Sequence, residues 1–178
     1  MEKMIVGMMA LLMVLGVFAG ESLVKNGDFK AGNKGWYIPE KDIKLFLFLP
    51  ENTINGPYLK VIGAVAPDKY ARINNRVKGM TLQVGDEFIL KAKIKCDKLS
   101  GKFSVMLRQA DEKQTINYKG FLFKKHAEFD WKDFSKTIKI QPGTTRLYIY
   151  IYGQFMAADD AVYVKAITLE KVEKTSVQ

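Results

Sequence analysis

The feature that most constrains this chain is a period-two alternation of apolar and polar residues, repeated in short runs. Phe88, Leu90, Ala92, Ile94 and Cys96 alternate with Ile89, Lys91, Lys93 and Lys95, and Phe103, Val105 and Leu107 alternate with Ser104, Met106 and Arg108. Ile138 and Ile140 follow the same rule with Thr137 and Lys139. Leu147, Ile149 and Ile151 follow it with Tyr148, Tyr150 and Tyr152, and Val162–Leu169 closes the series. Successive side chains of a strand point to opposite faces, so each run makes one face for a core and one outer face. Gly79, Gly85-Asp86, Ser100-Gly101, Pro142-Gly143 and Gly153 punctuate the runs as turn signals. Many short strands at near-regular spacing predict an all-β fold, an antiparallel β-sandwich of the jelly-roll kind. Asp68–Val77 carries both a helical spacing (Tyr70, Ile73, Val77) and a strand alternation, and we read it as strand.

The first residues stand apart. Met4–Phe18 carries no charge, follows Glu2-Lys3 and ends at the small residues Ala19 and Gly20. An apolar run of about 15 residues is short of the ~20 that span a bilayer, and it has the form of a secretory signal. We therefore expect residues 1–19 to be a signal peptide and 20–178 a single domain, secreted or held in the cell envelope. Left uncleaved, the same segment would be the chain's one attachment to a membrane. Its loss removes one Lys and one Glu, so the net charge of +9 is unchanged. Such a charge favours anionic partners in a salt-sensitive way. Hydrophobic residues make up 48 % of the chain, and no repeat or low-complexity tract interrupts it, which excludes disorder, collagen and coiled coil. Cys96 is the only cysteine. No intramolecular disulfide can staple the domain, so its core, or a bound ion, must hold it.

Two runs are apolar or aromatic on both faces: Lys44–Leu49 and Leu147–Tyr152. A sandwich strand ordinarily has one wet, polar face, so the second face must be covered by a loop, a neighbour or a ligand. Tyr148, Tyr150 and Tyr152 project from one face about 6.6–7 Å apart. That spacing suits packing against successive sugar rings; it equally suits packing under a loop or against lysine stems.

The chain opens on Leu23-Val24-Lys25-Asn26-Gly27-Asp28-Phe29 and Gly35-Trp36, followed by Gly85-Asp86-Glu87-Phe88, then Trp131-Lys132-Asp133-Phe134, and last Tyr163–Glu170. In order and spacing, over residues 22–172, these elements resemble the carbohydrate-binding modules of families four, nine, sixteen and twenty-two, a galactose-binding-like jelly-roll group. The resemblance implies a sandwich that binds polysaccharide along a groove on one face without catalysis, commonly as an appendage of a glycoside hydrolase. It also implies a structural calcium between the first and last strands, held by carboxylates of the opening and closing motifs. Here Lys30 and Lys165-Ala166 stand where the family has Glu and Asp-Asp. Calcium needs several oxygen ligands and an ammonium offers none, so no cofactor is expected. Lys165 would occupy the cation's place and pair with Asp28, or both lysines are simply solvated; Asp159-Asp160 remains as an oxygen-rich loop.

Strand parity, with the correspondence to the family's ligand-facing strands, adds groove candidates to the three tyrosines. They are Arg108 and Met106 on the Phe103–Gln109 run, Tyr118 on the loop after it, Arg72, Asn74, and Tyr37 beside Trp36. Arg72 and Arg108 can hold a uronate or sulfate bidentately, which brings acidic polysaccharides within the expected range. Lys91, Lys93 and Lys95 read as a solvated outer face that discourages edge pairing, or else as an anion-binding stripe. Trp36, Phe29, Phe88 and Phe134 read as core anchors.

Catalytic patterns are weak. His126 is the single histidine and lies in a lysine-rich loop; one His and one Cys cannot build a zinc site of the usual kinds. The acid pairs Asp86-Glu87, Asp111-Glu112 and Asp159-Asp160 fall at turns. No enzyme is therefore expected. Two other classes stay open: a cell-envelope or adhesion protein whose sandwich face binds protein, and a jelly-roll polysaccharide lyase using Tyr, Arg, Asn and His on a sheet. Nucleic acid is not an expected partner, since the chain is read as exported and carries no recognised motif.

Overall fold

A computed structural model describes residues 21–50, 53–54, 56–63 and 70–173; the expected signal peptide lies outside them. Its strands are β1 (Phe46–Leu49), β2 (Tyr58–Ile62), β3 (Tyr70–Val77), β4 (Glu87–Lys98), β5 (Lys102–Ala110), β6 (Thr115–Phe123), β7 (Phe129–Lys139), β8 (Arg146–Gln154) and β9 (Ala161–Lys171). They form a five-stranded sheet, β1-β2-β9-β4-β7, and a four-stranded sheet, β3-β8-β5-β6, with every pairing antiparallel. The chain is an all-β jelly-roll sandwich. Among the described residues no helix is long and apolar enough to cross a membrane.

The alternating runs fill the space between the sheets. Phe88, Leu90 and Ile94 of β4 meet Phe103, Val105 and Leu107 of β5 and Leu147, Ile149 and Ile151 of β8, all buried. The opening motif closes one end of this core. Asn26 stands in the left-handed region (φ 52°) and its side chain laces the following loop, donating to Gly32 O and Lys34 O and accepting from Ala31 N–H. This holds Phe29 against Trp36, ring centroids 5.3 Å apart, and Trp36 Nε1–H donates to Asn26 O. Gly27 passes so close to β9 that a β-carbon there would sink into Ile167 O, while Ile167 N–H donates to Gly27 O at 2.9 Å. The motif thus acts structurally, tying the N-terminal loop to the last strand.

Several expectations change. β3 is the strand read from its alternation. The Lys44–Leu49 run is shortened by a 3-10 turn over Glu40–Leu45, leaving a four-residue edge strand with Leu47 exposed on its outer face. Gly153 lies inside β8 and is not a turn. Phe134 is half-buried, clustered with Phe121, Phe123 and Phe129 where β6 approaches the edge strand β7.

In β9 a bulge at the left-handed Ala166 (φ 53°) shifts the register, pairing Lys91 with Thr168 but Lys93 with Lys165. Lys165 therefore shares the outer face with Tyr163, while Ile167 and Leu169 turn inward, contrary to simple parity. Its ammonium stands 4.3 Å from the Trp131 ring centroid, and the Asp28 carboxylate accepts the Lys30 N–H. The lysine row of β4 is not simply solvated either. Lys91 pairs with Glu170, Lys93 with Asp133, and Lys95 with Asp97 and Asp130.

Candidate functional site

The outer face of the four-stranded sheet is built row by row from its register. Arg76, Tyr148, Arg108 and Tyr118 form one row across β3, β8, β5 and β6; Asn74, Tyr150, Met106 and Gly120 form the next. Arg72, Tyr152, Ser104 and Leu122 form the third, and Tyr70, Gln154 and Lys102 the last. Strands lie about 4.8 Å apart and same-face residues about 6.8 Å apart, so the rows make a lattice of rings and cations. Between them runs a groove of about 560 Å³ lined by Tyr70, Tyr118, Tyr150 and Tyr152, by Met106 and Leu122, and by Arg72, Lys102, Ser104 and Gln154.

The rings do not lie in one flat row. Tyr70 and Tyr152 stack, centroids 5.4 Å apart and planes 29° apart. Tyr150 meets Tyr148 and Tyr118 edge to face, at 6.2 and 6.1 Å. Arg108 is fixed among them: its guanidinium carbon is 5.3 Å from the Tyr148 centroid and 5.6 Å from that of Tyr150. Its Nε–H donates to Thr115 Oγ1 and its Nη1–H to the Tyr150 hydroxyl. Burial, then the neighbouring Tyr70, pushes the Tyr152 phenol above its ordinary value, so its hydroxyl stays a donor well into alkaline solution. The arrangement offers ring faces, an apolar floor, hydroxyl and amide groups, and cations at the margin. Among the described residues its lining holds no carboxylate, histidine or cysteine.

Of the residues expected in the site, Tyr150, Tyr152, Met106, Tyr118 and Arg72 line the groove together. Tyr148 and Arg108 stand beside it and brace Tyr150. Tyr118 lies within β6, opposite Arg108, and not on a loop. Asn74 faces Tyr150 from β3, and its backbone forms an isolated bridge with Tyr37, which is 63 % exposed at the sheet edge, outside the groove lining. Tyr70, Lys102, Ser104 and Gln154 also line the groove, and each shares strand parity with an expected site residue. Leu122 was missed because β6 lacks a regular alternation.

A scan against protein-family models finds no match, and no curated protein matches the chain in sequence. Solved structures do match. A family 16 carbohydrate-binding module is 21 % identical with a TM-score of 0.60, over 85 % of this chain and 99 % of that one. A family 61 module solved with β-1,4-galactotriose is 16 % identical with a TM-score of 0.55, over 86 % of this chain and all of its own. The fold is the jelly roll of carbohydrate-binding modules. The enzymatically active domain of tailspike protein 4 from bacteriophage CBA120 shares it too, at 11 % identity and a TM-score of 0.63, and here the chain covers 85 % of itself but spans only about a fifth (21 %) of the tailspike chain.

Within this module fold a second aromatic cluster occupies the opposite, five-stranded face. Tyr58, Trp131 and Tyr163 meet at 5.6–6.3 Å, with Lys60, Lys95 and Lys165 against the rings. Burial, then the Asp97 carboxylate, pushes the Tyr163 phenol up to about 12. Burial, then Lys93, lowers the Lys165 ammonium. The ammonium groups lie over the ring faces here, while the buried Trp131 Nε1–H has no hydrogen-bond partner among the described residues. The turn acids have structural partners: Asp111 accepts the Lys113 and Gln114 N–H groups, and Asp86 pairs with Lys171. Asp159 and Asp160 diverge. Asp159 pairs with Lys98, whereas buried Asp160 accepts the Ser100 N–H and hydroxyl and the Ala157 N–H.

Proposed function

We propose that this protein is an exported module, secreted or held in the cell envelope, that binds polysaccharide non-covalently in the Tyr70–Tyr118–Tyr150–Tyr152 groove and catalyses no reaction. Acidic chains belong to its ligand range. The reading is carried by the openness of the groove: its rings are half-buried or exposed, with Tyr118 at 48 %, and the aliphatic Leu122 beside them is 52 % exposed. Such apolar area facing water at the margin of a cleft suits a ligand that has both apolar faces and hydroxyl rims. Three ring contacts at ~0.5–1.5 kcal/mol each supply roughly 1.5–4.5 kcal/mol. Hydrogen bonds from the phenols, Ser104 and Gln154 at about 1 kcal/mol each extend this, which places affinity in the micromolar-to-millimolar range, about −8 to −4 kcal/mol. The modules that share the fold give the reading its second support. Affinity electrophoresis against a panel of neutral and acidic polysaccharides tests it. Retardation by at least one glycan is expected, and unaltered mobility with all of them removes the proposal.

A further inference from the structure

The cations around the groove differ in how far they are already engaged. Arg108 is committed, through Thr115, Tyr150 and two ring faces. Arg72 is not. Its backbone N–H donates to the buried Asp42 carboxylate at 3.2 Å, but its guanidinium makes no hydrogen bond or ion pair with a described residue, and its Nε–H is buried without a partner. Its ring contact with Tyr70 is loose, 6.0 Å to the centroid. A buried donor left without a partner is costly, more so when it is charged, and few are found in folded proteins.

Lys102 also has no polar partner among the described residues. It lies one row along and two strands across from Arg72, on the far side of Tyr152 and Gln154. Two strand spacings and one same-face step put their Cα atoms roughly 12 Å apart, a gap that two long side chains can close over one substituent of a sugar ring resting on Tyr152. Ser104 and Gln154 stand between them, and the described residues of the groove lining contribute no carboxylate to compete.

We infer that Arg72 and Lys102 form an oxyanion seat, so that the groove prefers a sugar ring bearing a carboxylate or a sulfate ester. The planar guanidinium takes either group bidentately, while the ammonium acts as a point charge. This rests on the reading that polysaccharide occupies the groove, and it adds which end of the groove reads charge and with which side chains.

Matched pairs of probes test it at about 0.15 M salt, where long-range attraction by the net charge is largely screened. One pair is polygalacturonate and its methyl ester, the other dextran sulfate and dextran, both run in affinity electrophoresis beside the broader glycan panel. In at least one pair the acidic member is expected to retard the protein about tenfold more strongly, the gain of one charge-assisted contact. The responding pair distinguishes carboxylate from sulfate. Arg72→Gln should bring that ratio within about twofold of unity, Arg72→Lys should restore part of it, and Lys102→Gln should reduce it. Melting curves of each variant check that it is folded, and Lys102, on the exposed rim, keeps the test alive should the Arg72 variants fail to fold.

Equal retention of both members of both pairs, or binding confined to neutral glycans of the panel, overturns the oxyanion seat and leaves the groove reading standing. No retention by any glycan overturns both. An acidic preference unchanged in folded Arg72→Gln and Lys102→Gln assigns the effect to the net charge and overturns the seat.

Discussion

Tyr152→Ala is the perturbation whose outcome the geometry fixes most closely. The ring lies in the centre of the groove, between Arg72 on β3 and Ser104 on β5, and stacks on Tyr70 at 5.4 Å. Truncation removes one ring contact with the ligand, about 0.5–1.5 kcal/mol, and one phenol hydrogen bond, about 0.5–1.5 kcal/mol. The sum, about 1–3 kcal/mol, is an affinity loss of about 5- to 150-fold. Stability should fall much less, because the ring lies outside the inter-sheet core. Tyr148→Ala is the internal comparison: Tyr148 braces Tyr150 and Arg108 but does not line the groove, so it should weaken binding by less than Tyr152→Ala does. Affinity electrophoresis and titration calorimetry with a retained glycan measure both variants, beside thermal melts. A folded Tyr152→Ala protein that binds within about twofold of the parent, or a Tyr148→Ala protein that loses as much, refutes the reasoning.

The fold sets further expectations at Gly120, at the Asp159-Asp160 loop and at Cys96. In Gly120→Ala the new β-carbon meets the backbone of β5, at 2.7 Å from Met106 Cα and closer still to Val105 O; forcing β6 away should lower stability by about 1–3 kcal/mol, read as a lower melting temperature. Asp160→Ala strips the acceptor from the Ser100 and Ala157 N–H groups and should cost about 2–3 kcal/mol. Calcium or chelator should leave the parent's melting temperature unchanged, since protein donors already engage both loop carboxylates. Burial, then Asp160, pushes the Cys96 thiol up from 9.0 to about 11. The folded thiol thus stays neutral while the unfolded one ionises, so stability should decline as pH rises from about 9 towards 11. The native protein should also resist thiol reagents at neutral pH and react once denatured.

What the sequence made legible follows from how strongly each strand is patterned. β4, β5 and β8 bury one full face apiece, so Phe88–Cys96, Phe103–Leu107 and Leu147–Ile151 show their inward residues by alternation alone. β8 also displays Tyr150 and Tyr152, the centre of the candidate groove. β6 and β7 are edge strands whose side chains are mostly half-buried or exposed. With little core to face they carry no clean period, so the sequence reads Tyr118 onto a loop and gives no sign of Leu122. β9 misled for another reason. Its bulge at Ala166 inserts one residue, and parity counted across it put Lys165 with Ile167 and Leu169. That the Arg72 guanidinium has no hydrogen bond or ion pair among the described residues has no sequence signature at all, because it depends on which neighbours across two strand pairings fail to reach it.

The central claim is that ligand binds on the four-stranded face and not on the lysine-rich aromatic cluster opposite. Two double variants compared in affinity electrophoresis against one glycan panel test this directly: Tyr150→Ala/Tyr152→Ala in the groove and Tyr58→Ala/Trp131→Ala on the other sheet. The account predicts that the first pair abolishes retardation while the second leaves it near the parent's. Retardation that survives the groove pair and disappears with the opposite pair would contradict it.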